Sequence, residues 1–151
     1  MNSLLVGLEA EKACLEKLIS LLAQEQHAIG ESRFDDLQAI TQEKAGLLDR
    51  VAELDRQRET LLLAAGFSTD VAGANAAAAA AGPATCQAWA DLLVLAERAR
   101  TDNLRNGAIV WTHLDFTQRA LNFLQSSVQH FYGPDGIRTT AAGGGTRLAL
   151  G

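Results

Sequence analysis

"LQAITQEKAGLLDRVAELDRQRETL", residues 37–61, is the stretch whose spacing decides the fold. Leu37, Ile40, Lys44, Leu47, Val51, Leu54, Arg58 and Leu61 recur at alternating steps of three and four. That is the heptad pattern of a helix packed along one seam. Lys44 and Arg58 interrupt an otherwise apolar row. Their aliphatic stems can pack while the charged heads reach water or a carboxylate. Ser32 reads as the N-cap, with Asp35 and Asp36 beside the positive end of the helix dipole. The helix is expected to run to about Ala65, with Gly66 as its stop.

The same reading extends outward in both directions. Upstream, Leu4, Leu8, Leu15, Leu18, Leu22 and Ile29 share one helical face, which predicts a first helix from about Ser3 to about Ala28. Glu9, Glu11, Lys12, Glu16 and Lys17 are assigned to its solvated side, and Gly30 to its C-terminal stop. The short link at Gly30–Glu31 makes the two helices an antiparallel hairpin. Downstream, residues 66–84 form an Ala- and Gly-rich connector, in which a short helix could be capped by Ser68 or Asp70. A third long helix is expected from about Thr85 to Tyr132. Its predicted seam is Trp89, Leu92, Ala96, Ala99, Asn103, Gly107, Val110, Leu114, Thr117, Leu121, Leu124, Val128 and Phe131. A second stripe, Ile109, Phe116 and Phe123, lies beside it. Gly107 on the seam predicts a kink or a close helix approach, where an added methyl group would clash. Gly133-Pro134 ends the helix, and residues 133–151 read as a flexible Gly-rich tail. The expected fold is therefore all-α: an antiparallel helical hairpin plus a longer third helix, in a coiled-coil-like three-helix bundle. Residues 1–132 form the expected domain.

Composition bounds the function. The chain has 151 residues, 18 Asp and Glu against 13 Lys and Arg, and a net charge of -5. That balance argues against nucleic acid as the main partner. No run approaches the roughly 18 apolar residues of a membrane span, so no membrane insertion is expected. Cys14 and Cys86 form no motif and read as free thiols of a reducing, cytoplasmic setting. His27, His113 and His130 lack metal-ligand spacing with either cysteine, and no phosphate-binding or dinucleotide loop is present. His113 and Asp115, two apart, fall on different helix faces. Glu53 with Arg56, and Asp55 with Arg58, read as i,i+3 neighbours on a solvated face. No catalytic residues, cofactor or metal are expected, so the chain does not read as an enzyme.

The lengths do not match. At 1.5 Å per residue the third predicted helix spans roughly 70 Å, against roughly 40 and 50 Å for the first two. Running antiparallel to the second helix, it would pass that helix by about residue 118. The overhang is apolar, with Leu121, Phe123, Leu124, Val128, Phe131 and Tyr132 in it. A contiguous apolar patch of that kind marks an interaction site. These six residues are the expected partner-binding surface.

Two stretches carry a family resemblance. "FDDLQAITQEKAGLLDRVAELDRQRETLLLAAGFS" resembles the second helix of the FlgN family of flagellar export chaperones. "NLRNGAIVWTHLDFTQRALNFLQ", followed by "YGPDG", resembles that family's last helix and its ending. The similarity covers most of residues 1–136, and Asn103, Asn106-Gly107 and Tyr132-Gly133 add to it. The resemblance implies a cytoplasmic, non-enzymatic chaperone of flagellar type III export. Such a protein binds hook-associated (hook–filament junction) proteins before secretion and delivers them to the flagellar export apparatus. The rival expectation is a structural or regulatory coiled coil, a homo-oligomer acting through self-association.

Overall fold

The protein is all-α in its computed structural model, which describes residues 2–132 without the side chains of 111–117, 123 and 125–132. Four helices follow one another: α1 (Ser3–Gly30), α2 (Phe34–Ala64), α3 (Val71–Ala81) and α4 (Pro83–Tyr132). The long helices match expectation within a few residues. The fourth element is α3, an ordered helix inside the expected connector. Residues 133–151, read above as a loose tail, lie outside the described residues. The chain divides into two units, 1–111 and 112–151.

The helix ends show which local signals act. Asn2 caps α1, its side-chain oxygen accepting from the Leu5 N–H at 3.3 Å while its amide donates to Thr85 Oγ1 at 2.7 Å. At the other end of α1, Arg33 N–H donates to the Ala28 carbonyl at 2.9 Å and Ser32 N–H to Ile29 at 3.2 Å. This paired closure is a Schellman motif. Its left-handed residue is Ser32, at φ 55°, so Ser32 is not the N-cap of α2 and Gly30 is not the stop. Gly30 is simply the last helical residue, and Arg33 precedes α2 without a side-chain capping bond. The same motif closes α2 as expected. Phe67 N–H bonds to Leu62 at 2.9 Å and Gly66 N–H to Leu63 at 3.0 Å, with Gly66 at φ 84°.

Asp70 is the N-cap of α3. Its carboxylate accepts from the Gly73 N–H at 2.8 Å and the Ser68 hydroxyl at 2.6 Å, and these two bonds hold its pKa below the usual carboxylate range. Ser68 thus supports the cap without forming it. A Cβ on Gly73 would stand 1.9 Å from the Ser68 carbonyl oxygen, so only glycine fits this turn. Gly82 alone links α3 to α4, at φ 117°, and Pro83 opens α4, where its missing N–H costs nothing.

Within the first unit α2 runs antiparallel to α1, with Glu11 opposite Arg58 and Glu25 opposite Lys44. α4 runs parallel to α1, as its contacts with Asn2, Lys12 and Leu22 fall at Thr85, Asp91 and Asn106 in turn. The main core joins Leu8, Leu15, Leu18, Ile19 and Leu22 of α1 with Leu62, the alanines 74, 77 and 78 of α3, and Ala88, Trp89, Leu92 and Ala99 of α4. One face of α3, with Ala74, Ala77 and Ala78, is therefore core, its small side chains letting the helix lie close to the others. A second cluster of Leu21, Ala28 and Ile40 sits toward the hairpin turn.

Two buried polar layers cross this core, two heptads apart on both helices of the hairpin. In the first, Arg58 bridges the Glu11 and Asp55 carboxylates, and its guanidinium lies 5.2 Å from the centre of the Trp89 ring. Trp89 in turn donates its indole N–H to Asn75 of α3 at 2.7 Å. Glu11, assigned above to the solvated side, is 4% exposed. Burial pushes its pKa up, against the lowering pull of Arg58. In the second layer Lys44 meets Glu25 at 3.3 Å, and Asn106 donates to the Glu25 carboxylate at 3.0 Å and to the Leu22 carbonyl at 2.8 Å. The Cys14 thiol, likewise raised by burial, donates to the Leu47 carbonyl between these layers.

The predicted seam of α4 is correct near its start and displaced after Ala99. Trp89, Leu92 and Ala99 are buried, but Ala96, Asn103 and Gly107 are exposed and Asn106 is buried instead. The inward row is Thr85, Ala88, Leu92, Leu95, Ala99, Asp102, Asn106 and Ile109. Ile109, placed above in the flanking stripe, belongs to it. Gly107 has nothing within 4 Å of where a Cβ would stand, so the expected close approach is absent.

Two glycine substitutions should move in opposite directions. Gly107→Ala should stabilise by up to ~1 kcal/mol through helix propensity, whereas Gly73→Ala should lower the melting temperature by forcing the Ser68 turn apart. Thermal denaturation of both variants checks this, and a destabilised Gly107→Ala would restore the close approach. For the first polar layer, Arg58→Ala should cost about 3–5 kcal/mol because it strands a buried carboxylate. The double change Glu11→Leu with Arg58→Met should recover most of that loss. Urea melts of the three proteins make the comparison, and equal losses in the single and double variants would refute it.

Candidate partner-binding surface

The expected surface lies on α4, which continues as helix to Tyr132 and so carries Leu121, Phe123, Leu124, Val128, Phe131 and Tyr132 on a single element. Steps of three and four place Leu121, Leu124, Val128 and Phe131 on one face of that helix. Leu121 is 49% exposed and Leu124 58% exposed. The side chains of Phe123, Val128, Phe131 and Tyr132 lie outside the described residues, as do those of His113 and Asp115. On the neighbouring face Gln118 donates to Asn122 at 3.1 Å. All six positions belong to the second unit.

Further apolar residues are exposed on α4. Val94 and Leu104, with Leu93 and Val110 less open, face solvent on α4 within the first unit. Val110 had been assigned to the core. The signal that marks the inward row is the buried Asn106, which the sequence presents only as a polar residue in a helix. Arg98, Arg100 and Arg105 stand along the same side, engaged by Asp102, Glu97 and Asp102 respectively. Such exposed pairs contribute little to stability.

Among the described residues the arrangement offers apolar contact and no assembled chemistry. Among the described residues no group of three His, Cys, Asp or Glu side chains could hold a metal ion. Cys14 is buried and Cys86 exposed, and both are free. No helix, among the described residues, is long and apolar enough to cross a membrane.

An all-helical, coiled-coil-like bundle with exposed apolar side chains along its last helix is the class that fold and surface define. Comparison narrows it: the sequence profile of the FlgN protein family matches residues 1–140. The chain belongs to the FlgN family. It is 30% identical over 153 aligned residues to a flagella synthesis protein FlgN of Yersinia enterocolitica serotype O:8, covering 99% of each chain. A second Yersinia enterocolitica protein of the same name is 31% identical over 139 residues, covering 90% of this chain and 89% of its own. A crystal structure of a flagella synthesis protein FlgN from Pseudomonas aeruginosa superposes with a TM-score of 0.68 at 28% identity, over 73% of this chain and 88% of that one.

Proposed function

We propose that this chain is a cytoplasmic chaperone of flagellar type III export that holds hook-associated proteins before their secretion and hands them to the export apparatus. Membership of a family whose relatives are named flagella synthesis proteins supports the flagellar part of this reading. The observation that carries the binding part is the exposure of Leu121 and Leu124 on one face of α4. Burying a Leu side chain is worth roughly 1.5–3 kcal/mol, so two of them left in solvent on one face are a standing incentive to dock. In this reading residues 1–132 are the chaperone domain, with 133–151 appended to it. Leu121, Phe123, Leu124, Val128, Phe131 and Tyr132 are the contact residues.

An amphipathic helix docks through anchors at steps of three and four, and the partner supplies an apolar face of its own. A chaperone must also release its load. A few anchors of ~2 kcal/mol each suit that need better than a fully buried core. Neither a cofactor nor catalysis enters this mechanism, since the work is masking and delivery. Binding keeps the client's apolar segment from premature assembly, and its loss at the export apparatus frees that segment again.

The double variant Phe123→Ala with Leu124→Ala should weaken binding of a hook-associated protein's terminal segment by about ten-fold or more, as loss of an interface anchor does. Helical content by circular dichroism should stay near wild type. Calorimetric titration measures the first quantity. Unchanged affinity with an intact fold would place the contact elsewhere, and loss of the fold would make these side chains core. Light scattering across a concentration series addresses self-association, where a mass that grows with concentration and falls in the double variant would favour the coiled-coil reading.

A further inference from the structure

Apolar burial leaves the rotation of α4 about α1 poorly determined. Leu92 and Ala99 belong both to the observed inward row and to the competing one, and Trp89, buried beside Ala88, belongs to the competing one. Beyond Ala99 the rows part, one passing through Asp102, Asn106 and Ile109, the other through Asn103, Gly107 and Val110. The competing row is no more polar. It would turn Val110 inward in place of Ile109, and it would bury a glycine where the observed row buries an amide. Transfer of apolar area therefore gives little preference between them.

The observed row is distinguished by Asn106. The residue is 1% exposed, and its amide donates to the Leu22 carbonyl at 2.8 Å and the Glu25 carboxylate at 3.0 Å. Glu25 is itself buried and engaged by Lys44 at 3.3 Å. One side chain of α4 thus closes a polar cluster to which α1 and α2 contribute the other members. Its Oδ1 atom has no hydrogen-bond partner in the structure. An amide buried with one polar atom unmatched gives little net stability. What it does provide is directional. In the competing rotation the Asn106 amide leaves the Leu22 carbonyl and Glu25, and their bonds to it are lost. A single buried polar residue in a helical seam is the best attested means of fixing register at the expense of stability.

We propose that Asn106 is the rotational latch of the bundle: its two hydrogen bonds to α1 select which face of α4 is buried in residues 83–111. Asn106 acts as a positioning residue, through geometry and not through contact with any ligand. The latch explains why Gly107 can stand beside it in open space.

The test is fluorine NMR of the full chain labelled with 5-fluorotryptophan, which has two tryptophans, Trp89 and Trp111. Trp111→Phe assigns the Trp89 signal. Trp89 is buried beside the observed row, where it meets Arg58 and Asn75, and a turn of α4 would change those contacts. Wild type should give one Trp89 resonance. Asn106→Leu, of similar volume, should give a second resonance of at least ~10% intensity or clear exchange broadening, as a minor state comes within reach. A single sharp Trp89 resonance in folded Asn106→Leu would overturn the proposal. Loss of the fold would also overturn it, because the amide would then be required for the bundle as a whole. Wild type supplies an independent measurement. Exchange of the Asn106 side-chain amide should be at least ~ten-fold slower than that of exposed Asn103, and equal rates would sink the latch.

Discussion

The Arg58 guanidinium is the contact on which the bundle depends. It is held between the buried Glu11 carboxylate of α1 and the face of Trp89 on α4, with Asp55 of its own helix on the third side. A cation placed there cannot be left unpaired, since a lone buried charge is far more costly than any single apolar contact can offset. Three helices must therefore arrive together. Trp89 extends the constraint to the fourth, because its indole N–H is satisfied by Asn75 on α3. A tryptophan in this position contributes apolar area and a ring face, and it also has a donor that needs a partner.

The second polar layer repeats the logic at the other end of the hairpin. Between the two layers the packing is aliphatic and small. Ala74, Ala77 and Ala78 of α3, with Ala88 and Ala99 of α4, allow close approach where larger residues would hold the helices apart. The low aromatic content of the chain is consistent with such a core, in which one tryptophan serves as the bulky element. Stability here comes from many modest apolar contacts, and the polar layers determine which arrangement those contacts adopt.

A division of roles along α4 follows. Up to Ile109 its inward residues serve the bundle, and Asn106 is the last of them that is buried among the described residues. Farther along the same helix, Leu121 and Leu124 are open to solvent. The proposed function needs a surface for protein contact. One continuous helix can provide it, because helical continuity costs little once the N-terminal half is anchored. The anchoring and the proposed contact then rest on different residues, so that loss of binding and loss of fold can be separated by mutation.

The helices themselves were legible in the sequence because their periodicity is a local property, repeated over many turns. The seam of α2 was found with its two cations, whose partners are carboxylates as the long-stem argument allowed. Gly66 as a stop, and Leu121 and Leu124 as exposed apolar residues, were equally readable. Tertiary structure decided what local pattern leaves open. Ser32 and not Gly30 takes the left-handed position, because the closing bonds to Ala28 and Ile29 offset the strain of a side chain there. Glu11 is core because Arg58 and Trp89 approach it from two other helices, and no pattern within α1 announces that. The rotation of α4 turned on Asn106, since two rows of nearly equal apolar content fit the same spacing. Periodicity states that a helix has an inner face. Only directional bonds to residues distant in the chain state which of two similar faces it is.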